Sequence, residues 1–219
     1  MIQLSLADFR ADLSTAALAA LQLEFEEFHT FQVREFLHPD LLAFVLERIR
    51  PEDFIPRSHG KIGNELAVDT LANVGVQSLV LRMNDRALAS FMEAVTGITP
   101  VKHFEGRVYR MMPPAEHYDS WHDDVSQGRL IGMSINFSPV PYRGGTFSIR
   151  RHSSNEVLRA LPNLGPGDAI FFRISNKLQH MVSRIEGTTS KTAFAGWFHD
   201  ASFLTDYLRT PKAPSQPAS

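Results

Sequence analysis

"SWHDDVSQGRLIGMSINFS", residues 120–138, is the stretch on which the fold turns. A tryptophan, a histidine and two aspartates come in succession, followed by the short polar loop VSQG and a long apolar run. In an extended chain, residues i and i+2 point to the same face. His122 and Asp124 are therefore expected to project together, with Asp123 turned away. A histidine and a carboxylate on one face can take adjacent positions on a hard-to-borderline divalent metal. The alternative is that these polar residues merely form a turn.

The surroundings are strand-like. HFEGRVYRMM, GRLIGMSINFS, GTFSIRR, GDAIFFR, HMVSRI and KTAFAGWF are short β-rich runs, punctuated by PP, YRGG, LGPGD and EGTT. Such spacing predicts a β-sandwich or barrel. The first hundred residues read differently. Residues 14–28 predict a helix with Ser14 as N-cap, 38–49 a second with Pro39 in its first turn, and 85–97 a third closed by Gly97. Between them, residues 51–74 lack a clear pattern, and Arg57 and His59 there read as a polar surface loop. Helices grouped before strands argue against a βαβ sheet. The expectation is an α+β protein with one domain over 1–209, helical to about 100 and β-rich from about 101 to 200. The Pro- and Ser-rich residues 210–219 are expected to be a disordered tail.

Composition narrows the chemistry. The 219 residues are 43% hydrophobic and 21% charged, which suits a globular chain that can bury a core without a structural metal. There is no cysteine, so disulfides, thiolate metal sites and cysteine nucleophiles are excluded. A net charge of −2 gives no electrostatic footprint for nucleic acid. No segment reads as a signal peptide or a membrane span, so a cytoplasmic location is expected.

Other histidine–carboxylate pairs compete with the first. His38 and Asp40 are explained by a helix start, and His103 and Glu105 open a strand. His117 and Asp119 are the serious rival, but their parity is opposite to that of His122, so both pairs cannot line one pocket on a continuous strand. Trp121 is expected to pack on the barrel wall, and Ser120 and Asp119 to serve a turn. A third ligand could come from His180 on a later strand, although a lone histidine in an apolar strand is commonly a core residue. Lys191 stands in another small, apolar strand. A lysine there is costly to bury unless an anion meets it.

The ordered set of HDD, Arg129, SINFS, YRGGTFSI, LGPGDAIFF, His180, Lys191 and GWF resembles the iron(II)- and 2-oxoglutarate-dependent dioxygenases, particularly the prolyl 4-hydroxylase-like branch. It spans about residues 103–199. The resemblance implies a double-stranded β-helix, or jelly roll, with the site in its mouth. It implies His122, Asp124 and His180 as Fe(II) ligands and Lys191 as the partner of the distal carboxylate of 2-oxoglutarate. Tyr109 and Thr192 are further candidates for that co-substrate, and Arg184 is the rival anchor, because lysine cannot make the bidentate fork of an arginine.

The activity implied is hydroxylation of an unactivated C–H of an amino acid, a peptide or protein residue or a small metabolite. O₂ would be consumed, succinate and CO₂ released, and ascorbate could serve as reductant. A non-catalytic, cupin-like metal-binding or sensing protein is the alternative. No nucleic-acid or membrane partner is expected, and a homodimer is left open.

Overall fold

The computed structural model describes residues 1–60, 62–113, 117–126 and 128–201. The tail expected to be disordered lies outside them.

The N-terminal part opens with a hairpin, β1 (Ile2–Leu4) and β2 (Phe9–Ala11), followed by helix α1 (Thr15–Phe28) and strand β3 (Thr30–Val33). Ser14 Oγ accepts from Ala17 N at 3.2 Å and sets the start of α1. Helix α2 (Pro39–Leu46) has Pro39 in its first turn and is capped by His38, whose Nδ1 accepts from Asp40 N at 3.2 Å. The stretch without a readable pattern forms a hairpin, β4 (Phe54–Ser58) and β5 (Gly63–Val68), and leads into helix α3 (Val74–Met83). Asn73 caps α3, its side-chain oxygen accepting from Gly75 N and Val76 N. Helix α4 (Arg86–Thr96) starts at Asp85 and ends on Gly97 with φ 66°. None of the described helices is long and apolar enough to cross a membrane.

The remaining strands are β6 (His103–Met111), β7 (Tyr118–His122), β8 (Arg129–Asn136), β9 (Arg143–Gly144), β10 (Phe147–Arg151), β11 (Val157–Leu161), β12 (Ala169–Arg173), β13 (Leu178–Val182), β14 (Ile185–Glu186) and β15 (Lys191–His199). One antiparallel sheet runs β11-β10-β13-β7-β5-β6-β15-β8-β12-β3, with β4 paired to β5. It folds over on itself at β5. Phe147 of β10 thereby meets Phe172 of β12 with ring centroids 4.8 Å apart. The two facing layers, β11-β10-β13-β7 and β6-β15-β8-β12, make a jelly roll. The strands β3 and β5 come from the first hundred residues, so the helical part and the β-rich part share one sheet.

Alternation along the strands decides what goes where. Phe104, Val108, Ile131, Ile135, Phe171, Phe194 and Phe198 face one side and pack with Phe25, Phe31 and the helices in the main core. The residues next to them in sequence face the interior of the roll. There Tyr109, Met111, Val182 and Ala193 form one small cluster, and Phe147, Ile149, Ile170, Phe172 and Leu178 form another. Core packing is thus placed outside the major layer, which leaves the interior free for a site.

Candidate active site

β7 ends at His122, and the chain then turns sharply, because Asp124 adopts a left-handed conformation with φ 58°. The two side chains do converge, but not by strand alternation as expected. The turn brings Asp124 back, with its Oδ1 3.5 Å from His122 Nε2. Asp123 accepts from Val125 N at 3.0 Å and stabilises this turn. His180 lies opposite His122 in the register of β13 with β7, and its Nε2 is 3.3 Å from Asp124 Oδ2. One ligand atom from each of His122, Asp124 and His180 falls within 4.8 Å of the others.

The supports of this group come from distant strands. His122 Nδ1 lies 2.6 Å from Ser120 O, which leaves Nε2 free to face the cluster. Trp197 of β15 donates from Nε1 to Asp124 Oδ2 at 2.7 Å. Arg129 Nη1 stands 3.7 Å from Asp124 Oδ1, with its guanidinium 3.6 Å above the Trp197 ring. His180 is 6% exposed, walled by Phe147 and Phe172. Burial opposes charge on Asp124, but contacts from His122 and His180 outweigh it and hold the carboxylate well below its usual range. Burial likewise opposes a proton on His122, yet Asp124 and Asp119 push its pKa up to about 9. Two imidazoles around one carboxylate are a donor set suited to a divalent cation.

Lys191 opens β15 on the interior side and is 1% exposed. Its Nζ donates to Gly145 O at 3.2 Å, between the rings of Tyr109 and Tyr142, each 5.9 Å away. Among the described residues no carboxylate pairs with it. Burial pulls its pKa down to about 8, with Asp119 opposing. Ala193, two residues on, lies opposite Tyr109 of β6 and Asn136 of β8, so all share the interior face. Asn136 is fully buried, and its Nδ2 has no partner among the described residues. Tyr109 is buried too. A buried ammonium with no carboxylate partner fits an anion.

Other expected residues lie elsewhere. Thr192 alternates to the outer face, where its Oγ1 accepts from Arg110 Nε at 2.9 Å. Arg184 is exposed, its guanidinium 5.5 Å from the Tyr118 ring, and does not line the cavity. The rival pair splits. His117 is buried and accepts from Met112 N at 2.9 Å, whereas Asp119 sits within β7 and not in a turn, 3.5 Å from His122 Nδ1. Ser120 also belongs to β7 and bonds Ile62 O. Trp121 lies under the Arg150 guanidinium, 4.2 Å away.

The His–Asp–His group opens into a cavity of about 280 Å³, whose lining includes Arg57, His59, Glu65, Arg107, Tyr109, Asp119, Arg129 and Trp197. Arg57 and His59 therefore belong to the hairpin over the cavity rather than to a plain loop. Long-range partners such as Trp197 and Arg107 carried no local signal in the sequence.

No protein-family model matches the chain, and no curated protein matches it in sequence. Solved structures do match in fold. A Pseudomonas putida prolyl-4-hydroxylase superposes with a TM-score of 0.63 at 17% identity, over 84% of this chain and all of that one. A Trichoplax adhaerens prolyl hydroxylase, solved with a hypoxia inducible factor oxygen degradation domain peptide fragment, gives 0.65 at 14% identity over 86% and 94%. The epimerase SnoN, in complex with Fe³⁺, alpha ketoglutarate and nogalamycin RO, gives 0.63 at 14% over 94% and 93%. The chain thus has the double-stranded β-helix fold of the 2-oxoglutarate- and iron-dependent oxygenases, including prolyl 4-hydroxylases.

Proposed function

We propose that the protein is an Fe(II)- and 2-oxoglutarate-dependent oxygenase that hydroxylates an unactivated C–H. The observation that supports this reading is the His122–Asp124–His180 group in a cavity whose lining includes Tyr109, behind which lies the buried, carboxylate-free Lys191, its Nζ 5.9 Å from the Tyr109 ring. His122, Asp124 and His180 would hold the metal, and Lys191, between the rings of Tyr109 and Tyr142, would receive the distal carboxylate of 2-oxoglutarate. When bound, the iron supplies O₂ activation coupled to decarboxylation of the oxo acid to succinate and CO₂.

The chain's own residues have separate tasks. The Ser120 carbonyl fixes the His122 ring with Nε2 toward the cluster. Trp197 N–H holds one oxygen of Asp124, which leaves the other to ligate. Phe147 and Phe172 wall His180 against water.

The test is succinate release on adding Fe(II), ascorbate and 2-oxoglutarate. His122→Ala, Asp124→Ala and His180→Ala should each reduce it to background and abolish metal binding, whereas His117→Ala should leave metal bound. If no succinate forms with any member of a substrate panel while the metal still binds, a non-catalytic metal-binding jelly roll is the better description.

A further inference from the structure

The wall of the cavity nearest the β4–β5 hairpin carries a charge pattern that neither a metal nor an oxo acid explains. Arg57 and Glu65 are cross-strand partners in the hairpin register, so their side chains share the face toward the cavity. Glu65 is engaged elsewhere. Its Oε1 lies 2.9 Å from Arg107 Nε and 3.0 Å from His59 Nε2. When His59 donates from Nε2 to Glu65, the contact of Arg107 Nη2 with that same nitrogen at 3.2 Å sets donor against donor and leaves Arg107 Nη2 without an acceptor there. Arg107 Nη1 has no partner among the described residues, and Arg57 has neither a hydrogen-bond nor an ion-pair partner among them. Two guanidiniums therefore line one wall with a single carboxylate between them.

None of the other charged side chains of the cavity makes a direct contact with Arg57 among the described residues. Arg129 is served by Glu105 at 3.5 Å and Asp124 at 3.7 Å. Asp119 faces His122. On the functional reading above, on which this inference rests, Asp124 and the proximal carboxylate of the oxo acid offset the divalent metal, and the distal carboxylate offsets Lys191. Arg57 is exposed at the edge of the cavity with no direct contact partner among the described residues, close enough to Arg107 for the two to repel and to Glu65 to be attracted by it. Guanidinium forks recognise planar and tetrahedral oxyanions better than any other side chain.

We propose that Arg57 and Arg107 form an anion subsite for the primary substrate, which carries a carboxylate or phosphate group. The anion bridges the two guanidiniums at the mouth, and the carbon to be oxidised reaches inward past Trp197 toward His122, Asp124 and His180.

The experiment is a calorimetric titration of the full-length, Mn(II)-loaded protein, with and without 2-oxoglutarate. The probes are N-acetyl amino acids paired with their primary amides, and O-phosphoserine paired with serine. At least one anionic probe should bind about tenfold or more tightly than its neutral partner, alongside bound 2-oxoglutarate. Arg57→Gln should bring that ratio close to one, and Arg57→Lys should restore part of it. Which arm shows the preference tells carboxylate from phosphate. The inference is overturned if no anionic probe is preferred, if the preference survives in Arg57→Gln, or if the preferred anion displaces 2-oxoglutarate instead of joining it. Failure of 2-oxoglutarate itself to bind would sink the oxygenase reading. The titration without the oxo acid would still decide the subsite.

Discussion

Lys191 is the residue whose environment says most about the chemistry. Removing an ammonium from water without a carboxylate partner is costly, and the drop of its pKa to about 8 expresses that cost. In the folded, ligand-free protein Lys191 sheds its proton at lower pH than in the unfolded chain. Between about 8 and the unfolded value of 10.5, the unfolded state binds more protons, so stability should rise with pH across that window. Binding of 2-oxoglutarate should behave in the opposite sense. It needs the charged lysine, so the apparent KM for 2-oxoglutarate should climb once the pH passes about 8, by up to about tenfold per pH unit. The bound carboxylate favours the proton and displaces this step upward. Lys191→Ala should raise the KM at all pH values and remove the step, with metal affinity little changed. If Arg184→Ala has that effect instead, the anchor is the exposed arginine.

At the scale of elements, the site depends on turns that place side chains no strand could place. The left-handed Asp124 is one. The pair Gly144 and Gly145, with φ 73° and 62°, is another. A Cβ at Gly144 would meet Arg184 O at 2.0 Å, so backbone would have to move between β9 and β14. Gly145 O accepts from Lys191 Nζ, which ties this turn to the co-substrate pocket. Gly144→Ala should therefore destabilise by about 1–3 kcal/mol and also weaken 2-oxoglutarate binding. Gly97, at the end of α4, has φ 66° but nothing within 4 Å of its Cβ position. Gly97→Ala should cost about 1–2 kcal/mol and leave 2-oxoglutarate affinity unchanged. Urea midpoints and 2-oxoglutarate titrations on both variants separate strain from function. Equal effects of the two on the titration would show that the turn does not position Lys191.

For the whole molecule, the main hydrophobic core sits between the helices and the outer face of the β6-β15-β8-β12 layer, away from the His–Asp–His group. Metal is therefore not required to close the core. Chelation should abolish activity and leave a single cooperative melt. Metal at about a hundred times its Kd adds about 2.7 kcal/mol, or a rise of roughly 5–10 °C in Tm for a chain of this size. Loss of the cooperative transition in EDTA would make the site structural and remove the main support for a catalytic one. A core substitution should behave differently. Phe171→Ala, which removes a fully buried ring stacked 5.0 Å from Phe31, should cost about 3–5 kcal/mol with metal present or absent.

Local physical chemistry determined much of this fold. Ser14, Pro39, Asp85 and Gly97 cap or open three helices through contacts within a few residues, so those helices were readable in order. The β-rich runs GRLIGMSINFS, GDAIFFR and KTAFAGWF, set between Gly- and Pro-containing turns, were readable as strands. The order of His122, Asp124, His180 and Lys191 along those strands was readable too. Other features were decided by tertiary structure alone. The β4–β5 hairpin is nearly all exposed along β4, so it carries no apolar period to read, and it became visible only where β5 joins β6 and β7. Asp124 points at its neighbours because a turn reverses it, which strand parity could not foresee. Thr192 follows Lys191 in sequence but lies on the other face of the sheet. Trp197 and Arg107 reach the cavity from strands paired at long range, and Arg57 from a hairpin whose β5 joins β6 and β7; such pairing follows from how the sheet folds over, not from any spacing along the chain.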